Sequence, residues 1–168
     1  MINLPDEAAT REALGPGLIK AAELSEIVVV DADLGKSTTA RLIADQHPER
    51  FITFGIAEQN MASAAAGIAT TGFTVIASTF AVFAEHAFDQ WRMSVAQPNL
   101  DVKLFASHGG VSTGEDGASA QSVEDIGVFS SLVNFTVCVP ADVVEAEAMV
   151  AAAVDNYGPW YVRLGRAK

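Results

Sequence analysis

Short apolar runs alternate along the chain with longer segments whose apolar residues recur at helical spacing. Six runs rich in β-branched and aromatic residues predict strands, at 26–31, 51–54, 73–78, 102–107, 136–140 and 159–164. The segments around them predict helices at 6–24, 37–46, 57–70, 80–96, 121–133 and 142–156. The strand candidates lack a clean alternation of apolar and polar positions, which is typical of strands buried on both faces. The pattern therefore predicts an α/β fold: a doubly wound, mainly parallel sheet of about six strands with helices on both faces.

Local signals mark several of these boundaries. Asp142 is placed to cap the helix that follows it, with Glu145 three residues further on. Gly72 ends a helix just before the strand candidate at 73–78. Because the chain shows no linker, internal repeat or low-complexity tract, we expect residues 1–168 to form a single domain.

The charge balance limits the possible partners. The chain has 168 residues, of which 10 are Lys or Arg and 21 are Asp or Glu, giving a net charge of −11. Such an acidic surface repels phosphate backbones and anionic lipids, so we expect neither nucleic acid nor a membrane as a partner. Half of the residues are apolar, which is enough for a folded core. Any phosphate group that the protein holds must be bound by a few well-placed cations.

Cysteine usage and targeting signals add further limits. A single cysteine excludes an internal disulfide framework and a cysteine-rich zinc site, and the three histidines are far apart in sequence, so no metal site is predicted. Residues 59–84 carry no charge and could span a bilayer by length, but a change of periodicity at Gly72 favours helix, turn and strand. The N-terminus is acidic and lacks a hydrophobic signal segment, which predicts a cytoplasmic protein.

Ligands of doubly wound folds bind at the carboxyl ends of the strands, so the residues that follow each strand candidate deserve inspection. Glu58 opens a helix, and is either an exposed capping acid or an acid that faces a ligand in an apolar cleft. Phe80 and Phe83 share a helix face, and are either core residues or the wall of a site for an aromatic ring. The glycine-rich segment 109–117 is either a surface loop or a ligand loop. Standard phosphate-binding, nucleophile-elbow and zinc-helix motifs do not occur.

Several spaced segments together resemble the pyrimidine-binding domain of the transketolase family, and they follow the family's order. These segments are Phe-Gly-Ile-Ala-Glu-Gln-Asn-Met at 54–61, Ser-Thr-Phe-Ala-Val-Phe at 78–83, Gln-Trp-Arg at 90–92, Ser-His at 107–108, Gly-Glu-Asp-Gly-Ala-Ser at 114–119 and Tyr-Val-Arg-Leu-Gly-Arg at 161–166. The resemblance covers nearly the whole chain, and is greatest to the split form, in which transketolase is made as separate polypeptides. It implies a thiamine diphosphate-binding fold.

The resemblance also implies residues that bind the cofactor. The glutamate at the position of Glu58 hydrogen-bonds a pyrimidine ring nitrogen of thiamine diphosphate and takes part in catalysis as an acid–base group. Phe80 and Phe83 match the aromatic wall around the pyrimidine, and His86 stands beside them at a cofactor-binding position. Asp33 matches an acid near the cofactor.

A second set of implied residues binds a sugar substrate. His108 matches a catalytic, substrate-contacting position, and Asp116 matches a residue that recognises a sugar hydroxyl. Arg11, Ser37 and Arg166 match the family's clamp on the phosphate of the sugar. Two guanidinium groups at one site supply the local cations that the charge of the chain requires.

The sequence departs from the family at two positions of the implied site. Ala120 stands where the family usually has a histidine that holds the reacting end of the substrate. His86 stands where transketolases often carry tyrosine. Both changes concern the substrate more than the cofactor, so we expect an altered donor preference.

The motifs with which the family binds the diphosphate are absent from this sequence. The family uses Gly-Asp-Gly and a pair of asparagines that hold Mg²⁺, whereas Gly114–Gly117 is a different motif and no Asn-Asn occurs. The resemblance therefore implies a separate diphosphate-binding subunit of the N-terminal type, which holds Mg²⁺ and completes the site, in a heterotetramer with two copies of each chain. The family's third, C-terminal domain is not expected after Lys168.

These implications lead to one expected function and two alternatives. The chain is expected to be the pyrimidine-binding subunit of a two-component, thiamine diphosphate-dependent enzyme. That enzyme would transfer a two-carbon ketol unit from a ketose or ketose phosphate to an aldehyde. One alternative is another thiamine-dependent carboligase with a non-standard donor or acceptor. The other is a non-catalytic regulatory module that kept the fold.

Overall fold

The computed structural model of the protein describes residues 7–168, in which six parallel strands form one sheet. The strands are β1 (Ile27–Asp31), β2 (Phe51–Thr53), β3 (Thr74–Phe80), β4 (Val102–Ser107), β5 (Thr136–Cys138) and β6 (Trp160–Arg163). Their order across the sheet is β2-β1-β3-β4-β6-β5, with β2 and β5 at the edges. All six predicted strands are therefore confirmed, and their carboxyl ends meet at one edge of the sheet.

Helices cover both faces of this sheet. They are α1 (Leu14–Leu24), α2 (Gly35–Thr38), α3 (Leu42–Gln46), α4 (Glu58–Ala69), α5 (Ala81–His86), α6 (Phe88–Gln90), α7 (Asp125–Ser130) and α8 (Val143–Asp155). Successive residues of β1 point into different cores, because Val29 belongs to the core with α1, α3 and α8, whereas Val30 belongs to the core with α4 and α5. The sheet is thus doubly wound, as the sequence predicts.

Three predicted helices are shorter or more broken than expected. The helix expected at 6–24 begins only at Leu14, after one 3₁₀ turn, so that Pro16 falls in the first helical turn, where its missing N–H costs nothing; residue 6 lies outside the described part. The helix expected at 37–46 is divided by Thr39, whose φ is +68°. Helix α7 covers only the middle of the segment expected at 121–133.

The helix expected at 80–96 is wrong as one continuous element. It breaks into α5, α6 and a π-helical turn at Trp91–Ala96, with Ala87 in a non-helical conformation. Trp91 is fully buried, and its indole N–H donates to the carbonyl oxygen of Ala84 at 3.0 Å. Burial of this large side chain therefore determines the local path of the backbone.

The uncharged segment 59–84 folds as helix, turn and strand. Helix α4 ends at Ala69, Gly72 adopts a φ of +98°, and β3 follows at Thr74. Within residues 7–168, no helix has the length and apolar character needed to cross a membrane.

The alanines of α4 pack against the sheet of their own chain. Ala62, Ala65, Ala66 and Ala69 are buried in the core beneath the helix. The small side chains allow close packing of the helix on the chain's own strands.

A buried ion pair closes the amino edge of the sheet. Lys103 is fully buried, and its ammonium lies 2.7 Å from Asp101 Oδ1 while donating to the carbonyl oxygens of Asn156 and Gly158. Asp101 also accepts from the hydroxyl of Thr74 at 2.6 Å. Burial lowers the pKa of Lys103, and the contact with Asp101 opposes that effect. This pair joins the starts of β3 and β4 at the opposite edge from the site described next.

Candidate active site

The carboxyl edge of the sheet brings together most of the polar side chains that the sequence singles out. The backbone there turns sharply, with positive φ at Asp33 (+64°) and His108 (+62°) as well as at two glycines, Gly55 and Gly110. For residues other than glycine this conformation costs on the order of 1 kcal/mol or more, so the surrounding structure must hold it in place. Asp33 and His108 were both predicted to lie at the site.

Glu58 lies at the first position of α4 and is buried, with 6% of its surface exposed. Its carboxylate Oε2 is 3.7 Å from Nδ1 of His86, which is exposed at the end of α5. The amide of Gln59 donates to the backbone oxygen of His86 at 3.3 Å, so that the two helices are tied at this point. A helix N-terminus stabilises a carboxylate. The interpretation of Glu58 as an exposed capping acid is wrong, because the side chain is buried.

Three rings form a stack beside this carboxylate-bearing helix. The rings of Phe80 and Phe83 are nearly parallel, with centroids 5.7 Å apart. The imidazole of His108 also stacks on Phe80, and the centroids of these two rings are 3.6 Å apart. Strands β3 and β4 are neighbours in register, with Phe80 opposite Ser107, which brings the two loops together. The sequence predicted the phenylalanine pair, whereas the stacking of His108 follows from the register.

His108 is a buried, neutral histidine. Burial lowers its pKa from 6.5 to about 4, and the nearby guanidinium groups of Arg11 and Arg166 act in the same direction, while Asp116 opposes them. The ring Nδ1 is hydrogen-bonded to the hydroxyl of Ser107 at 2.8 Å, and Nε2 lies 3.7 Å from Asp116 Oδ2. At neutral pH the ring therefore offers one N–H donor and one nitrogen acceptor.

Two arginines approach His108 from opposite ends of the chain. Arg11 donates to the backbone oxygen of Ser37 at 3.0 Å, and its own backbone N–H donates to Gly165 O. Arg166 donates to Glu115 at 2.8 Å and lies 3.8 Å from Asp116. The acid at Glu115 raises the pKa of Arg166 above its ordinary value. The structure thus brings Arg11, Ser37 and Arg166 to the same edge, as a phosphate clamp requires.

Asp33 is the remaining predicted cofactor-binding residue. It is exposed after β1, and lines a shallow pocket with Asp31, Lys36, Arg41 and other residues near β2. Its neighbour Asp31 is buried, and burial raises the pKa of that carboxyl group. The described contacts give Asp33 no partner from α4 or α5.

Two residues that sequence reasoning did not assign a role support the loop after His108. Thr113 is fully buried, and its hydroxyl lies within hydrogen-bond distance of the carbonyl oxygens of His108 and Gly110, at 2.9 and 3.2 Å. Ser107 holds the imidazole, as described above. Ser107 and Thr113 carry small hydroxyl side chains near Gly109 and Gly110. This pattern is too common in sequences to predict a role for them. Ala120 is buried in the same loop. Residues 7–168 contain no group of three or more His, Cys, Asp or Glu side chains arranged to hold a metal ion.

Comparison with known proteins decides the family. The chain matches the family described as "Transketolase, pyrimidine binding domain" over residues 6–168. The chain belongs to the transketolase family. Its similarity to curated transketolases is also direct: it is 43% identical over 158 residues to the putative transketolase C-terminal section of Methanocaldococcus jannaschii, covering 93% of this chain and 50% of that protein. It is 42% identical over 163 residues to human transketolase, covering 96% of this chain and 26% of that protein.

Solved transketolases share the fold. A split-gene transketolase, described as an inactive beta4 tetramer, superposes with a TM-score of 0.85 at 47% identity, covering 96% of this chain and 52% of that chain. A Pichia stipitis transketolase in complex with sedoheptulose-7-phosphate superposes with a TM-score of 0.86 at 27% identity, covering 96% of this chain and 26% of that chain. The transketolase resemblance and the thiamine diphosphate-binding fold are therefore confirmed. The chain spans between about a quarter and about half of the length of these relatives.

Proposed function

We propose that this transketolase pyrimidine-binding domain is one component of a two-subunit, thiamine diphosphate-dependent enzyme that transfers a two-carbon ketol unit from a ketose to an aldehyde. The observation that carries the proposal is Glu58, a carboxyl group buried at a helix N-terminus beside His86. Such a group can share a proton with a ring nitrogen that enters the same low-dielectric cleft.

The residues present fit the pyrimidine end of thiamine diphosphate. Phe83, which stacks on the buried Phe80, offers a flat apolar surface to a flat ring, an arrangement that aromatic groups favour. Glu58 would hold the proton on the pyrimidine, and His86 would lie at the rim. When bound, the cofactor supplies an acidic thiazolium carbon that accepts and releases the transferred two-carbon unit.

The loop residues fit a phosphorylated sugar. Neutral His108 would donate to, or accept from, a hydroxyl group of the substrate, and Asp116 would accept from another hydroxyl. Arg11 and Arg166 would bind the phosphate. Guanidinium groups bind phosphate in a bidentate geometry, and Arg11 and Arg166 would do so here despite the net charge of −11, because nearby charges outweigh distant ones.

The proposal includes a second polypeptide. The chain has no Asn-Asn pair and no Gly-Asp-Gly motif to hold the diphosphate and Mg²⁺. Its relatives include a "C-terminal section" and a "split gene" transketolase, names that describe enzymes made in parts. A subunit of the N-terminal type would supply the diphosphate site, with two copies of each chain in a heterotetramer in the cytoplasm.

One observation favours a second candidate function, a thiamine-dependent carboligase with a different donor or acceptor. Ala120 is buried in the substrate loop, at the position where the family usually has a histidine. An alanine there offers no hydrogen bond to the reacting end of the substrate. Turnover measured over a panel of ketose and 2-oxo-acid donors, for the natural chain and for Ala120→His, separates the two. The carboligase is favoured if Ala120→His changes the preferred donor.

The decisive experiment replaces Glu58 by glutamine in the reconstituted two-subunit complex. We expect Glu58→Gln to lower turnover by on the order of 10²–10⁴-fold, the usual contribution of a positioned acid–base group, while subunit assembly is unchanged. Glu23→Gln, an exposed glutamate on α1, is the matched control and should keep full activity. Activity of Glu58→Gln near the natural level, with the complex assembled, would refute the catalytic assignment and leave the non-catalytic module as the better interpretation.

A further inference from the structure

A buried cluster behind the substrate loop is used by none of the roles proposed so far. It consists of Arg163 at the end of β6, Asp125 at the start of α7, Tyr161, Ser122 and Glu85. Asp125 is fully buried, and its Oδ2 lies 3.0 Å from Arg163 Nε and accepts from the hydroxyl of Tyr161 at 2.6 Å. Burial of Tyr161 raises the pKa of its hydroxyl, and the carboxylate of Asp125 beside it adds to that effect. The cluster therefore holds an ion pair inside the protein.

The guanidinium of Arg163 lies directly against the backbone of the substrate loop. A Cβ atom added at Gly109 would lie 2.1 Å from Arg163 Nε, and one added at Gly110 would lie 2.9 Å from an Arg163 terminal nitrogen. No side chain fits at either position without moving the arginine. The two glycines directly follow His108. Their contact with Arg163 therefore fixes the distance between the loop and the end of β6.

The same arginine is joined to the loop by shared hydrogen bonds. The carbonyl oxygen of Ser122 accepts from Arg163 at 3.3 Å and from the backbone N–H of Gly110 at 2.5 Å. The hydroxyl of Ser122 in turn donates to Glu85, which precedes His86 on α5. Burial raises the pKa of Glu85, and the nearby Glu124 and Asp125 add to that effect. The cluster thus connects the loop of His108 to the helix that faces Glu58.

We propose that Arg163 is a positioning residue: its guanidinium, fixed by Asp125 and Ser122, supports Gly109 and Gly110 and thereby fixes His108 and Asp116 for the substrate. This inference rests on the function proposed above for the substrate loop. His108 needs such support because its backbone is in the left-handed region. Thr113 contacts carbonyl oxygens of the loop, and Arg163 contacts the two glycines of the loop. The loop is therefore fixed at two points.

The test must separate positioning from simple loss of stability. Arg163→Met alone leaves Asp125 as a buried charge without its partner, which destabilises any protein. The double variant Arg163→Met/Asp125→Asn removes both charges and so removes that penalty, but it does not restore the support of the loop. Arg163→Lys, which keeps the charge and loses the planar guanidinium, serves as a second variant if the double variant fails to fold.

The first measurement is the imidazole titration of His108 in the full chain, followed by NMR from pH 5.5 to 8 and assigned with His47→Gln and His86→Gln. In the natural chain, the signals of His108 should not titrate in this range, since its pKa is about 4. In the double variant, or in Arg163→Lys, the loosened loop admits water and the pKa of His108 should rise into the measured range. This readout needs neither cofactor nor partner.

The second measurement is the steady-state kinetics of the reconstituted complex. Because a misplacement of about 1 Å can cost on the order of 10²-fold, we expect KM for the ketose donor to rise about tenfold or more, with a smaller change in kcat. The matched control is Lys103→Met/Asp101→Asn, the same exchange in the buried pair at the amino edge of the sheet, which should change neither KM nor the titration of His108.

The outcomes distinguish the two proposals. An unchanged His108 titration and an unchanged KM in a folded double variant, or in folded Arg163→Lys, would overturn the role of Arg163. Equal effects of the Arg163 and Lys103 double variants would also overturn it, because both would then act through stability. If the His108 titration moves as expected while the natural complex shows no transfer activity, the positioning role stands and the proposed function fails.

Discussion

At the scale of single residues, His108 combines a strained backbone, a ring stacked on Phe80 and two neighbouring cations. Each of these features opposes a positive charge on the imidazole or fixes its direction. A histidine that stays neutral throughout the physiological range can serve as a hydrogen-bonding group of constant charge. The same features should lower the free energy of unfolding of the protein at acidic pH.

The first residue-scale prediction concerns stability against pH. The folded pKa of His108, about 4, is below its unfolded value of 6.5, so the unfolded chain binds more protons between these values. The associated stability is fully present above pH 6.5 and is lost as the pH falls towards 4. Between pH 7.5 and 5 the loss should be about 2 kcal/mol. Urea unfolding of the natural chain and of His108→Asn at both pH values measures it.

The comparison isolates His108 because every other titrating group is common to the two proteins. We expect the free energy of unfolding of the natural chain to fall by about 2 kcal/mol more than that of His108→Asn on going to pH 5. Equal losses in the two proteins would show that His108 is accessible to protons in the folded chain.

At the scale of elements, most boundaries follow local chemistry. The carboxylate of Asp142 accepts from the backbone N–H of Glu145 at 2.8 Å, which caps α8 as the sequence predicts. The glutamate side chain accepts in return from the backbone N–H of Ala141 at 2.6 Å. Elements are harder to predict where one of their own side chains is buried or contacts another segment. The burial of Trp91 divides the helix after β3, and Thr39 divides the helix after β1 while accepting from Gly15 and donating to Arg11 O.

Two glycines in different elements should respond in opposite ways to substitution by alanine. A Cβ atom at Gly67, in the last turn of α4, meets no atom within 4 Å, so Gly67→Ala should stabilise the chain by roughly 0.5–1 kcal/mol through its helix propensity. Gly109→Ala brings its Cβ atom to 2.1 Å from Arg163, and should destabilise the chain by about 1–3 kcal/mol. Thermal and urea unfolding of both variants measure the two effects.

The pair serves as its own control, because both changes add one methyl group to the chain. If Gly109→Ala were as stable as the natural chain, the guanidinium of Arg163 would be free to move, and its proposed support of the loop would lose its basis.

At the scale of the whole molecule, the sheet brings charged groups to its two edges for different purposes. At the amino edge Lys103 and Asp101 neutralise each other inside the fold. At the carboxyl edge Arg11, Arg166, Asp116 and Glu58 surround the proposed site. Because the chain carries an excess of 11 negative charges, Arg11 and Arg166 supply positive charge locally at that edge.

The whole-molecule prediction concerns cofactor binding. With only the pyrimidine end of the site, the isolated chain should gain little stability from thiamine diphosphate and Mg²⁺. In the complex with its diphosphate-binding partner, a cofactor concentration of about 100 times Kd should contribute about 2.7 kcal/mol, seen as a rise in Tm. Thermal unfolding of the chain, of the partner and of the mixture tests this. A full-sized shift in the isolated chain would count against a shared site.

The sequence allowed the fold to be predicted well because its signals are local or periodic. Strand β4 was predicted at 102–107, as found, since a short apolar run between polar segments marks a buried strand whatever its neighbours are. The order of the strands was not predictable, because it depends on which strands pair. The site was predicted through family segments that place Glu58, Phe80, Phe83 and His108 at strand ends.

The supporting residues were missed because their partners are far away in sequence. Tyr161 is separated by 36 residues from its partner Asp125, and Arg163 by 41 residues from Ser122. No period or spacing relates such positions.

By itself, the sequence determined the alternation of strands and helices, the capping of α8 and the family segments of the site, because each depends on residues that are near one another along the chain. Only the tertiary structure decided that Glu58 is buried, that His108 stacks on Phe80, and that Arg163 lies under Gly109. Burial and contact depend on which strands become neighbours, and the register of β3 against β4 and of β4 against β6 creates that proximity.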